Sequence, residues 1–307
     1  MSGRSRPALG IGLMVASAAC FASLDTTTRY LGALLPIQLM LWSRYAVHAA
    51  VMGVWLGLTG RSQFRAANLR FQLLRGALLL GSSTLAFHGL QHMPVAEFTA
   101  IVMLTPVLVT VLAAWVLQER VSALRWALVC GGMVGALIVI RPGSGLFGWA
   151  VLLPLAAAFS NAAFQVLTSK HGRHESALTT NFYTGLTGTA ILTPIVLTSH
   201  VDITGLLAAA PAQQLGLLLA LGSFGTAGHL FLILSLGRAG TATLMPFVYT
   251  QIAFAALVGW IVFRASPDFW GWIGMGVIAV CGAASAWLNM RERRELQEPV
   301  VADTIAD

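Results

Sequence analysis

Four charged side chains stand inside apolar stretches of this sequence: Asp25, Arg44, Arg75 and Glu97. Charges are costly in hydrocarbon, so such groups face a partner or a cavity. Asp25 and Arg44 fall on neighbouring stretches. There they either form an ion pair or line an outer vestibule and meet a zwitterionic solute. At 1.5 Å rise per residue, Asp25, Arg44 and Glu97 lie roughly 5–12 Å below the outer boundary of a bilayer, and His88 shares that layer. Arg75 sits near the inner boundary, where its long stem lets it snorkel. Deeper polar and aromatic groups are Trp42, His48, Ser82, Ser83, Thr99, Asn161, Gln165, Tyr183, Tyr249 and Gln251, with His229 nearer the cytoplasmic end. Taken singly, each reads as a helix–helix hydrogen bond. Together they suit a wide, mostly apolar cavity with scattered hydrogen-bonding groups, and Gln165 aside they form the candidate substrate-binding set.

The absences narrow the chemistry. The lone lysine, Lys170, lacks the glycines of a phosphate-binding loop, and the sequence has neither a His-Glu-x-x-His zinc motif nor a Gly-x-Ser-x-Gly elbow. No enzyme activity, cofactor or metal is expected. Cys20, Cys130 and Cys281 stand at unrelated spacings inside apolar runs and read as small buried hydrophobes. The titratable candidates Asp25, Glu97, His48, His88 and His229 form no evident relay along one helix face. That favours facilitated or broad-specificity exchange over strict proton coupling.

The elements that must position these groups follow from composition. The 307 residues are 57% hydrophobic and 9% charged, with mean hydropathy +0.79, whereas a soluble domain carries about 25% charged residues. An all-α polytopic membrane protein is expected, with the lipid bilayer as its surroundings. The net charge of +7 does not signal nucleic acid, because the basic residues cluster at the ends of apolar segments. Ten spans are predicted, at 8–28, 36–58, 71–90, 95–117, 124–140, 147–167, 178–198, 212–236, 239–263 and 269–289. The first resembles a signal peptide but aligns with the sixth, as Ala19, Phe21 and Ser23 match Ala157, Phe159 and Asn161, and is read as a retained helix. Pro106, Pro154, Pro194 and Pro246 fall inside spans, and Pro106 and Pro246 are candidate flexing points.

The stretch 105–119, TPVLVTVLAAWVLQE, recurs 145 residues later as TQIAFAALVGWIVFR. Each half then holds five spans, residues 1–145 and 146–290, ahead of a cytoplasmic tail at 291–307. An odd number of spans per half makes the repeat inverted. Paired repeats with the substrate between them point to a transporter.

The residues Pro94-Val95-Ala96, Leu104-Thr105-Pro106, Leu117-Gln118-Glu119-Arg120 and Gly131–Gly135, with Gly240-Thr241-Ala242, Gly259-Trp260 and Gly274–Gly282, resemble the EamA-type drug/metabolite transporter superfamily over residues 8–289. Arg264 departs from the pattern, standing where the second half usually has a Glu. The resemblance implies a basket of ten helices, alternating access and a central substrate. Its nearest implication is a bacterial inner-membrane exporter of amino acids or similar metabolites, aromatic amino acids included. Another metabolite or drug carrier, or a non-transporting membrane sensor, is the alternative. The oligomeric state stays open, and a monomer is compatible with the sequence.

Orientation yields the first test. Fourteen of the 18 Lys and Arg fall on segments that are cytoplasmic if the N-terminus is, and three fall on the opposite ends. Both termini are therefore expected in the cytoplasm. Single cysteines placed in the loops should react with a membrane-impermeant reagent accordingly. A C-terminal tail reached only from the periplasm contradicts the assignment.

Overall fold

The structure, a computed structural model, describes residues 7–60, 64–105, 107–108, 111–112, 123–141, 148–171, 176–199, 203–236, 238 and 247–295. Among them all regular structure is helical: α1 (Pro7–Gly32), α2 (Ile37–Thr59), α3 (Leu69–His92), α4 (Val95–Val102), α5 (Ala123–Ile140), a 3-10 turn (Gly148–Val151), α6 (Leu152–His171), α7 (Ala177–Thr198), α8 (Ile203–Ala209), α9 (Ala212–Leu236), α10 (Thr250–Phe263) and α11 (Phe269–Glu295). Four stretches are long and apolar enough to cross a membrane, at Ala8–Gly32, Leu69–His92, Gly148–Leu167 and Ala212–Leu232, and shorter apolar stretches run Trp126–Val139, Thr250–Phe263 and Phe269–Ala284.

Three boundaries differ from the sequence reading. Residues 203–209 form the short helix α8 between two expected spans. α11 continues through Glu295, so the expected tail begins as helix. The fourth span breaks after Val102, with Met103 and Leu104 in a turn. A proline at position 106 has no N–H to give the Val102 carbonyl. The Thr105 hydroxyl donates to that oxygen instead, at 2.6 Å. The same device recurs 145 residues on, where Thr250 Oγ1 donates to the Phe247 carbonyl at 2.6 Å. Pro106 and Pro246 themselves lie outside the described residues, as do Trp115 and Glu119.

Large hydrophobics cover the exterior, with Leu58, Leu197 and Phe269 more than two-thirds exposed. The exposed tryptophans include Trp55, Trp126, Trp149, Trp260, Trp270, Trp272 and Trp287. An apolar exterior of this kind is stable against lipid and unstable against water. In the interior, the closest helix approaches are made where small residues stand. Lipid tails are as apolar as leucine, so close van der Waals approach and interhelical hydrogen bonds hold such helices together. α1 packs most extensively on α9, α2 on α7, α3 on α6 and α5 on α11. Gly185 brings α7 so near α2 that a Cβ would stand 2.7 Å from the Ala49 nitrogen, and at Gly222 it would stand 2.4 Å from Val47 Cβ. Gly131, a glycine of α5, faces the Cys281 sulfur in the same way. Arg75 does not snorkel. It is 3% exposed, donating to the Thr180 carbonyl at 3.1 Å and to the Thr184 hydroxyl, with its guanidinium 4.9 Å from the Phe164 ring centre.

Gly185→Ala must push two backbones apart, since the atoms it meets are main chain. A loss of about 1–3 kcal/mol is expected, as for overpacked interiors. Gly57→Ala meets nothing within 4 Å and should leave stability unchanged or slightly raised. Thermal unfolding of the two variants in detergent checks this. Equal melting temperatures contradict close packing of α2 on α7.

Candidate functional site

The helix breaks and the small residues leave a hollow in the middle of the bundle, mostly apolar in its lining with a few polar and charged groups. It encloses about 1190 Å³, its open mouth included. α1 contributes Ser17, Phe21 and Asp25, α2 Arg44, α3 Ser82, Ser83 and Phe87, and α6 Asn161, Phe164 and Gln165. α9 adds His229. The broken region after α4 supplies Met103 and Thr105 beside Phe98 and Val102 of the helix, and Val248 and Gln251 stand at the start of α10. Irregular backbone at such depth is tolerated where it lines a cavity.

Asp25 and Arg44 do not form an ion pair, as they show no contact within 4.0 Å. Arg44 Nη1 donates to Ser83 Oγ at 2.7 Å. Its guanidinium lies 5.2 Å from the Tyr45 ring centre and 5.7 Å from that of Phe87. Ser83 also stands 2.8 Å from the Tyr45 hydroxyl and donates to the Leu79 carbonyl at 2.8 Å. Arg44 is thus stacked between aromatic faces with its edge held by one hydroxyl. Asp25 Oδ2 accepts a long bond, 3.4 Å, from Gln251 Nε2. Both charges are buried, and among the described residues neither has an oppositely charged partner within 4.0 Å. Burial without such a partner is costly.

α9 sets the shape of this wall. A Cβ at Gly225 would stand 3.1 Å from Arg44 Nε, and one at Gly228 would stand 2.9 Å from the Phe21 ring. Ser17 Oγ donates to the Gly228 carbonyl at 2.7 Å. Phe21 meets the His229 ring edge-on at 5.0 Å, and His229 Nδ1 lies 2.9 Å from the Gly225 carbonyl of its own helix.

The cavity gathers five of the ten candidate substrate-binding residues: Ser82, Ser83, Asn161, His229 and Gln251 line it, together with Asp25 and Arg44 of the vestibule set. The others are placed elsewhere, each for a physical reason. Trp42 Nε1 donates to Thr193 Oγ1 at 3.1 Å, joining α2 to α7. His48 Nε2 lies 3.0 Å from Asn181 Oδ1 in the same interface, with its ring 6.1 Å from that of His229. Tyr183 donates to the Phe64 carbonyl at 2.8 Å and so ties α7 to the segment before α3. Thr99 is fully buried in the α4 packing. Tyr249 fills the space that Gly282 leaves on α11. His88 is exposed, its Nδ1 2.8 Å from the Thr84 carbonyl. Glu97 lies in a separate small pocket with Arg29. The sequence reading missed the aromatic and sulfur-bearing wall, Met14, Phe21, Phe98, Met103 and Phe164, because apolar residues on apolar helices carry no polarity contrast to mark which ones face a hollow.

His48→Ala orphans Asn181 in the α2–α7 interface and should cost about 1–3 kcal/mol of stability. Asn161→Ala, on the cavity wall, should leave unfolding in detergent nearly unchanged. The reverse order of melting temperatures would move His48 from packing to the cavity.

Known proteins share this architecture. The sequence matches the EamA-like transporter family over residues 8–141 and 148–286. The riboflavin transporter of Brucella anthropi is 26% identical, with 86% of this chain and 94% of that protein covered. The S-adenosylmethionine uptake transporter of Rickettsia felis is 24% identical, covering 84% and 86%. The pseudopaline exporter CntI of Pseudomonas aeruginosa is 24% identical, covering 84% and 89%. A solved crystal structure superposes with a TM-score of 0.67 at 19% identity, over 95% of this chain and 99% of the other, a likeness of fold. Two family matches that together span nearly the whole chain, on a bundle with an apolar exterior and a central hollow, place this protein in the EamA-like transporter family.

Proposed function

We propose that this protein is a secondary carrier of small zwitterionic metabolites that bear a ring, with aromatic amino acids as the leading class and export as the direction. The observation that carries the reading is the pairing in one cavity of two buried, mutually unpaired charges, Asp25 and Arg44, with the rings of Phe21, Phe87, Phe98 and Phe164. A carboxylate on the solute complements Arg44, whose aromatic stacking leaves edge N–H groups for a planar anion. An ammonium complements Asp25. The phenylalanines take the ring, and the amides of Asn161, Gln165 and Gln251 meet polar substituents.

Transport proceeds by alternating access across ten spans arranged as two inverted halves, residues 1–145 and 146–290, in the bacterial inner membrane with cytoplasmic termini. The breaks beside Thr105 and Thr250 adjoin the cavity. Pro106 and Pro246 adjoin them in sequence and serve as flexing points. A second reading draws on the number of aromatic and amide groups that line the hollow. A larger heteroaromatic metabolite of the kind that names several relatives, riboflavin or S-adenosylmethionine, satisfies the same rings and amides.

The test is exchange in sealed liposomes without a pH difference, using labelled phenylalanine, alanine, riboflavin and S-adenosylmethionine as probes. Phenylalanine should exchange well above protein-free vesicles and faster than alanine. Losing a hydrogen bond to a charged group costs about 1.5–3 kcal/mol, so Asp25→Asn and Arg44→Gln should each raise the half-saturation concentration about tenfold or more. Exchange of riboflavin alone selects the second reading. No protein-dependent flux of any probe overturns both.

A further inference from the structure

A second, smaller pocket of about 300 Å³, its opening included, caps the cavity at the end of the bundle where α1 and α3 finish. Three helices place residues in both spaces. α1 has Asp25 in the cavity and Arg29 one turn on in the pocket, α4 has Phe98 and Glu97, and α10 has Gln251 and Ala255. Glu97 is 8% exposed, and its Oε2 is buried with no hydrogen-bond partner. Arg29, the cation of that pocket, is engaged elsewhere. Its Nη1 donates to the Leu90 carbonyl at 3.1 Å and to the Met93 carbonyl, and its guanidinium lies 5.4 Å from the Phe263 ring centre.

We infer that Glu97 is a proton-binding site beside the solute cavity rather than within it, and that its loading holds this end of the bundle shut. The inference rests on the carrier reading above. The closed pocket accommodates a neutral carboxylic acid. A carboxylate with an unpartnered buried oxygen would be costly there. When the proton leaves to water, the carboxylate attracts Arg29 and draws it from the Leu90 and Met93 carbonyls. Those two bonds tie α1 to the end of α3 and to the turn that follows it, so releasing them loosens the closure. One guanidinium with two alternative sets of acceptors makes the switch discrete.

The other charges around Glu97 leave that exchange to Arg29. Asp268 is paired with Arg141 at 2.7 Å and also accepts from the Gly271 nitrogen at 2.8 Å. Gly271 abuts Glu97, as a Cβ there would stand 3.8 Å from Oε1. His92 stacks on Trp149 at 5.2 Å, and Arg264 lies over Trp260 at 5.8 Å. His88 is exposed, and Asp25 is on the cavity side of α1. The near turns of α6 and α10 bring no titratable side chain.

Two measurements on the full chain in liposomes test the inference without a transported solute. Infrared difference spectra between acidic and alkaline buffer should show a buried carboxylic C=O band that Glu97→Gln removes and Glu97→Asp shifts. A band unchanged in both variants overturns the site. In a background with Cys20, Cys130 and Cys281 replaced by serine, Ala256→Cys reports on the closed pocket through its reaction with a membrane-impermeant maleimide. The ratio of its labelling rate with Glu97 to that with Glu97→Gln should rise several-fold from acidic to alkaline buffer. Taking the ratio cancels the pH dependence of the thiol itself. A constant ratio overturns the switch, while exchange of labelled phenylalanine, measured separately, decides the carrier reading.

Discussion

A guanidinium placed in the middle of an apolar bundle must be satisfied there, and the neighbourhood of Arg44 is built around that need. Ser83 supplies an acceptor, Tyr45 and Phe87 supply ring faces, and Gly225 removes the side chain that would crowd the guanidinium from α9. Ser83 is in turn oriented by Tyr45 and by the Leu79 carbonyl. Three helices are committed to holding one cation at the cavity wall. Hydrophobic isosteres would pack more cheaply at such a position, so retention of the charge has its physical explanation in the empty space it faces.

The cavity depends on a second constraint, that helices in lipid approach closely only where side chains are small. Gly185 and Gly222 allow α7 and α9 to close on α2, and Gly228 admits the Phe21 ring beside α9. On the opposite side Gly135 and Gly274 bring α5 and α11 together. Close contact along these lines leaves the volume in the centre, between α1, α3, α4, α6 and α10. The helix breaks at residues 103–104 and at 249 sit at that centre. The Val102 and Phe247 carbonyls just before them are met by threonine hydroxyls.

Hydrogen-bonding groups in this bundle divide by whether they stand in a helix–helix interface or line the central hollow. Trp42, His48 and Tyr183 each reach across to a second element and so act as ties. Asp25, Arg44, Asn161 and Gln251 keep capacity toward the hollow. The same chemistry therefore ties helices in one place and faces the hollow in another, and the difference lies in the geometry of the facing helix.

The sequence by itself determined the class of the protein and the approximate place of most of the described helices, because apolar runs are properties of one strand of chain. It also marked 105 and 250 as corresponding positions, where the structure shows the same threonine-to-carbonyl bond. It could not distinguish His48 from His229, since each is a histidine in an apolar helix and only the neighbour differs, Asn181 for one and the cavity for the other. It left Asp25 and Arg44 open between ion pair and vestibule. Tertiary structure ruled out the direct pair by offering Arg44 a hydroxyl on α3 and Asp25 an amide on α10. Which polar group ties helices together and which lines the hollow is set by what stands within hydrogen-bond reach, and that depends on contacts between residues far apart in the chain.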